Sequence, residues 1–562
     1  MPEAISEAVS SQAGRLRLLR NNLLLSTLLF LGLQCWRHCY FLTDDNLDAG
    51  LPFFTEMGHH LLSGHSPFVS DYLFGGGYNL LRDPNFFAWH PLYFVVSLLA
   101  GTPFHLWILD VDAFFLLMLT TAGFVNLAWY LRRELSIQLS DGWLTFYAAS
   151  FVYSMIAITT GASWLTFLGN QSALPWLTLG ILQRSWWRGT GLVALFSLHQ
   201  ILGGHLEPLV FTSIFLSLFA LGLSVSRRSF LPMGSWISGY LVALFTLLPL
   251  LVPMLSGFFS SARSHGVILD DMQANNIPAL LLPTSLFLGT ALSVVQPPHH
   301  LYVTYTLALG QCAASWCVMS SLVSRSPWRG LDVIVMGMLV LGVLLISSPN
   351  WLAVIMLHLP ILKSMRWPFR ELVQFIFFLH LFLVLRVPSC TPRSRFVIAL
   401  FSTVLMLYPL FLFMVPPTFN TMNMDRDLLF SGGFDRYWAQ VRPLLQPGDR
   451  IAVLIPGKIY ADDRFQEPYS LLSTCNYSGM TRIINIRGYS PTAPSDQVYT
   501  RTVSYYPFGA YLPGQKAALL AERPDIKFIT LESLKPLKIS LSSRLGPTID
   551  LTPYIPDQLK SP

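Results

Sequence analysis

Apolar residues in this chain fall in long runs with no polar face. Eleven such runs lie at 23–42, 105–131, 143–160, 164–182, 190–206, 208–225, 232–256, 301–323, 331–348, 371–388 and 396–415. Each is roughly 20 residues, the length a helix needs to cross a hydrocarbon core of ~30 Å. The pattern predicts an α-helical polytopic membrane protein with about eleven transmembrane helices. Residues 43–104 break the pattern. They are polar except for Phe86–Leu99, which is too short to span and contains His90 and Pro91; it reads as an amphipathic or re-entrant segment at the interface. An apolar stretch at 277–295 is a further re-entrant candidate, and an odd extra crossing if it spans.

From about 416 the runs shorten. IAVLIP (451–456), TRIINI (481–486) and IKFITL (526–531) read as strands, and PGQKAALLAER (513–523) as a helix. The expected organisation is a leader over 1–22, a membrane domain over 23–415 with a first outer loop at 43–104, and a small α/β domain over 416–562. The run at 23–42 leads directly into TDDN with no small-residue cleavage site, so it is read as an uncleaved first span.

Composition agrees with the pattern: 53% of residues are hydrophobic and only 12% charged, against about 25% charged in ordinary soluble domains. The formal charge of +6 does not point to nucleic acid. Its arginines form short clusters, Arg15/Arg17/Arg20, Arg132/Arg133, Arg184/Arg188, Arg227/Arg228, Arg325/Arg329 and Arg386/Arg393/Arg395, in every second gap between runs. Cytoplasmic loops carry this excess. It places the N-terminus in the cytoplasm and the C-terminal domain outside. The six cysteines are too scattered for a disulfide framework.

Candidate chemistry gathers in the first outer loop, which holds Asp44, Asp45, Asp48, Glu56, His59, His60, His65, Asp71, Asp83 and His90. Asp44 and Asp45 stand where the first helix leaves the bilayer, as a general base or as the mark of a helix entering water. Glu56 with His59 and His60 is the best metal candidate, weighed against interfacial histidines, since no second matching half follows. His65 and His90 read as structural or pocket-lining. The Gly75–Gly77 triplet marks a backbone turn or a close approach to a ligand. Elsewhere, His205 and Glu207 sit in GGHLEP at a membrane edge, as an acid site or as a plain helix-end turn. Lys363, Arg366 and Arg370 lie in an expected outer segment, against the charge trend. Arginine's planar fork suits a phosphate; the alternative is a tie to lipid headgroups.

The order Asp44-Asp45-Asn46-Leu47-Asp48, then LPFFTEMGHHLLSGHSPFVSDYLFGGGYNLLRDP and HP, resembles the first-loop pattern of the GT-C superfamily of membrane glycosyltransferases, most closely its YfhO-like bacterial branch. GNQSALPWLTLG (169–180), GGHLEP (203–208) and MRWPFRE (365–371) are similar to segments of that family, and the likeness covers about 20 to 415. The resemblance implies a bacterial inner-membrane enzyme that takes a sugar from a polyprenyl-phosphate carrier on the outer face. The acceptor would be an envelope glycan, glycolipid or protein. Asp45 matches the place of the family's catalytic base, with Asp44 its competitor and Glu207 a candidate second acid. Asp48, Glu56, His60, His90, His205, Lys363, Arg366 and Arg370 would face donor or acceptor. The resemblance identifies no certain cofactor, and a divalent metal ion is left open. The rival readings are a transporter or flippase of lipid-linked sugars and a non-catalytic assembly protein of the same fold. No internal repeat of the transporter kind is present among the spans.

Overall fold

The computed structural model describes residues 2–42, 46–83, 89–161, 165–203, 206–266, 269, 298–365, 372–412, 426–454, 477–486, 513–534, 537–541 and 548–550. The chain packs as two compact units: 1–38, 113–251 and 265–416 make the first, and 39–112, 252–264 and 417–562 the second.

The first unit is helical. Its helices are α1 (Pro2–Trp36), most of α4 (Ile108–Glu134), α5 (Asp141–Gly161), α6 (Leu165–Ser172), α7 (Leu174–Leu182), α8 (Trp186–Gly203), α9 (Leu206–Arg227), α10 (Leu231–Thr246), the start of α11 (Leu248–Ser260), α12 (Pro298–Val323), α13 (Gly330–Ser347), α14 (Asn350–His358), α15 (Leu372–Arg386) and α16 (Pro392–Leu412). Helices α2 (Leu51–Leu62), α3 (Pro91–Ser97) and α17 (Gly433–Val441) belong to the second unit. Among the described residues five helical segments are long and apolar enough to cross a membrane: Gln12–Trp36, His105–Glu134, Leu206–Arg227, Gly330–Ser347 and Leu372–Ser389. A sixth is obtained if α10 and α11 are one broken span.

Helix α15 lies at the centre, with every residue from Leu372 to Arg386 buried. It packs on α5, α12 and α13. An all-round apolar helix behaves this way because no face gains by exposure. Within it, Gln374 donates to Thr212 Oγ1 at 2.9 Å, and His380 Nε2 meets Ser150 Oγ at 2.9 Å. At the periphery, only 28% of the apolar window of Gln12–Trp36 is buried, as expected of a helix with one side toward lipid. Helices α8 and α10 approach through small residues. A Cβ on Gly239 would lie 2.6 Å from Val193 Cβ, so glycine is what permits the contact.

Three expected spans are corrected. The run at 232–256 is broken at Leu247, where α10 and α11 bend by 82°. The run at 164–182 is two helices, α6 and α7, split at Ala173 just before Pro175, which lacks the N–H to continue a ladder. The first helix ends at Trp36 rather than 42 and extends back to Pro2, through the expected leader. Residues 350–358, expected as part of a connection, form α14. Arg386, taken above as a surface charge of the basic cluster, is 1% exposed; it pairs with Asp332 Oδ2 at 3.2 Å and stacks over Trp328.

In the second unit, β1 (Val69–Ser70) and β2 (Tyr78–Asn79) pair antiparallel around the glycine turn. Further on, β3 (Arg450–Leu454), β4 (Ile484–Asn485), β5 (Lys527–Leu534), β6 (Leu537–Leu541) and β7 (Thr548–Asp550) form one mixed sheet in the order β4-β3-β5-β6-β7. β3 is parallel to both neighbours, and Ile451–Leu454 are all buried, the continuous apolar run of a strand covered on both faces. Ala452, Leu454, Ile486, Leu519 and Phe528 make its core, with helix α19 (Lys516–Glu522) supplying Leu519. The strands expected at 451–456 and 526–531 and the helix expected within 513–523 are present. Strands β6 and β7 were not anticipated.

Candidate functional site

The helix α2 begins with Leu51-Pro52, a proline suited to a first turn where its missing N–H goes unused. Nine of its residues are buried, from Leu51 to Gly58 and His60. Gly58 sets its depth: a Cβ there would stand 1.9 Å from the carbonyl oxygen of Ser97. This close approach of α2 to α3 carries Glu56 into the interior, where it is 3% exposed.

Glu56 is held by a turn fifteen residues on. Ser70 Oγ lies 2.8 and 2.9 Å from its two oxygens, and the Asp71 N–H donates to Oε1 at 2.9 Å. Ser70 Oγ in turn accepts the Leu73 N–H at 3.0 Å. The turn then runs into Gly75, Gly76 and Gly77, all at positive φ (89°, 91° and 71°), conformations that favour glycine. One helical turn beyond Glu56, His60 Nδ1 donates to the Ser66 carbonyl at 2.9 Å. Its Nε2 lies 3.3 Å from Asp71 Oδ2 and 3.8 Å from Glu56 Oε1. Desolvation outweighs the hydrogen bonds from Ser70 and Asp71 and pushes the Glu56 carboxyl up to about 7.

The short helix α18 (Ser478–Thr481) closes over this carboxyl. A Cβ on Gly479 would lie 3.1 Å from Glu56 Oε2 and 2.8 Å from the Pro52 carbonyl oxygen. Beside it, Arg482 Nη2 is 3.1 Å from the ring nitrogens of His59. Burial and that guanidinium push the His59 imidazole down. Chemically, the arrangement is a buried carboxyl, an imidazole and a half-exposed carboxylate in series, able to hold and move a proton.

The expected Glu-x-x-His pairing is corrected here: Glu56 meets His60 at i+4, and His59 turns to Arg482. Among the described residues no group of three or more His, Cys, Asp or Glu is placed to hold a metal ion. His90 caps α3, its Nδ1 accepting the Leu92 N–H at 3.2 Å. Burial pushes its imidazole down to about 4. Its neutral form is the one that caps, so its contribution is full above the ordinary 6.5 and is lost as pH falls from there through about 4. His90→Ala is expected to cost about 1 kcal/mol at pH 7. Thermal unfolding of variant and wild type should differ at pH 7 and converge toward pH 4.

Glu207 lies in the first turn of α9, buried, and belongs to the first unit. Lys363 is half-buried in the turn Leu362–Ser364. Asp44, Asp45, His205, Arg366 and Arg370 lie outside the described residues, as does the side chain of Asp48.

Sequence reasoning missed two acids. Asp110 and Asp112 are buried at the start of α4, and Asp110 Oδ1 accepts the Phe41 N–H at 3.2 Å. They sit inside the run read as 105–131, and two isolated acids there were a usable signal. Ser70 and Arg482 were also missed, and Asp71 was noted without its partners. No spacing in the sequence joins 56 to 70 or 59 to 482. No family model, curated protein or solved structure matches the chain.

Proposed function

We propose that this chain is an integral membrane glycosyltransferase of GT-C type, in the YfhO-like manner. It would have about eleven spans, lie in a bacterial inner membrane with its N-terminus in the cytoplasm, and carry the C-terminal sheet outside. A sugar would pass from a polyprenyl-phosphate carrier to an envelope glycan, glycolipid or protein. Asp45, or Asp44 beside it, would take the acceptor's hydroxyl proton while that oxygen attacks the anomeric carbon. The bond from the anomeric carbon to the phosphate oxygen breaks, and its electron pair stays on the polyprenyl phosphate. Lys363, Arg366 and Arg370 suit that growing negative charge, and Glu207 with His205 would supply a second acid and an imidazole.

The observation that carries the reading is the Glu56–His60–Asp71 cluster. The polar segment that follows the first apolar helix is folded around a buried acid and an imidazole, which a mere connection does not require. The test is transfer of radiolabelled sugar from a panel of polyprenyl phosphates by the purified protein in lipid. Asp45→Asn is expected to lower the rate by about 10²–10⁴-fold, the contribution of a general base, with donor binding retained. Equal rates for variant and wild type would remove Asp45 from the chemistry.

The break between α10 and α11 favours a second reading, a transporter or flippase of lipid-linked sugars, because such proteins use discontinuous helices. Donor binding and its movement between leaflets, without transfer to any acceptor, would select it. Donor binding with neither activity would select an assembly role.

A further inference from the structure

We propose that Glu56, His60 and Asp71 form a single proton-binding triad, opened to solvent by Asp71. Its basis is the placing of three polar groups around one buried imidazole. His60 Nδ1 carries a hydrogen because its neighbour at 2.9 Å is the Ser66 carbonyl, which only accepts. In neutral imidazole the other nitrogen then bears a lone pair. That nitrogen is buried, has no hydrogen-bond partner, and faces Asp71 Oδ2 at 3.3 Å and Glu56 Oε1 at 3.8 Å. A lone pair aimed between two carboxylates is repelled by both, whereas a proton on Nε2, or on either acid, relieves the repulsion.

The three members differ in access. Glu56 and His60 side chains are 4% and 7% exposed, and that of Asp71 is 52% exposed. A proton from solvent or ligand therefore meets Asp71 Oδ2, passes to His60 Nε2, and is retained by Glu56. Other groups complete the setting. Tyr72 faces the cluster from its own turn, the His65 ring stands 6.0 Å from that of His60, and Arg482 and His105 act on His59 beyond it. Helix α3 brings Tyr93, whose ring meets Phe54, and α18 brings no ionisable side chain before Arg482. Glu56 sits at about 7 through burial. A raised acid favours the folded state below its ordinary 4.5, and that contribution is lost as pH rises through about 7. Proton uptake stands without any view of the reaction. Its use as the sink for an acceptor's proton rests on the transfer reading.

The test is labelling of the full-length protein in detergent with dicyclohexylcarbodiimide, which reacts with protonated carboxyls in apolar surroundings, read by mass spectrometry from pH 5 to 9. The peptide holding Glu56 should be labelled at least about tenfold more at pH 6 than at pH 8.5, given a group near 7. Glu56→Gln should abolish that label. Asp71→Asn and His60→Gln should each move the midpoint down, since one removes a negative neighbour and the other the lone pair that the carboxylates face. A label that ignores pH, or a midpoint that neither substitution moves, would overturn the triad and leave an ordinary buried carboxyl. Should the reagent fail to enter, the thermal stability of wild type relative to Glu56→Gln must fall between pH 4.5 and 7; a flat difference overturns the proposal as well. Both measurements are made without substrate, so a protein inactive in sugar transfer still decides them.

Discussion

Asp332→Leu is expected to lower stability by about 3–5 kcal/mol, the cost of stranding a buried partner charge. Asp332 is fully buried at the head of α13 and closes a capping box with Arg329, accepting the Arg329 N–H at 2.8 Å. It also receives Arg386 Nη1 at 3.2 Å. Without it, Arg386 keeps, among the described residues, the Pro327 and Ser326 carbonyls at 3.0 and 3.4 Å and the Trp328 face. Those groups accept hydrogen bonds but do not neutralise a charge that is 1% exposed. Combining Asp332→Leu with Arg386→Met removes both charges and should recover most of the loss. Thermal or denaturant unfolding of wild type, the two single variants and the double variant in one detergent gives the cycle. A double variant as unstable as the worse single one would mean that packing around Trp328, and not the charge pair, dominates.

Gly58→Ala is expected to cost at least about 3 kcal/mol, the upper part of the range for overpacking. The added carbon would stand 1.9 Å from the Ser97 oxygen and 2.7 Å from Ala100 Cβ. Neither is the end of a flexible side chain, so α2 must move away from α3. That movement carries Glu56 and His60 with it. Protection of amide hydrogens over 51–62 should therefore fall along with the melting temperature. Gly337→Ala is the control, since a Cβ there meets nothing within 4 Å in the middle of α13. It should be neutral or stabilising, because alanine is the better helix former. Equal tolerance at both positions would show that α2 and α3 yield to each other without loss.

Much of the architecture was legible because a span is a local property. Length and hydropathy identify Gly330–Ser347 or Leu206–Arg227 with no reference to neighbours, and these two helices fall within a few residues of their runs. Breaks were harder. Pro175 signalled the split between α6 and α7, but the bend at Leu247 lies between Thr246 and Leu248, inside one apolar run and two residues before Pro249. The last helix of the first unit begins at Pro392, four residues before the apolar run, because its first turn is polar.

The candidate site divided in the same way. Its raw material was readable: acids and imidazoles gathered between Asp44 and His90, and a glycine triplet that had to turn. Its pairing was not. Glu56 is joined to Ser70 and Asp71, and His59 to Arg482, by contacts across 14, 15 and 423 positions of chain. Arg386 looks in sequence like its neighbours Arg393, which is exposed, and Arg395, which is half-buried, yet it is buried against Asp332, 54 positions away. Hydropathy and backbone propensity act over one helix turn or one span, so the sequence by itself determined that this chain is built of membrane-length helices followed by a strand-rich end. Desolvation, charge pairing and the closeness of one backbone to another depend on which segments meet. The tertiary structure alone decided which of the many acids would be buried, partnered and poised near neutrality.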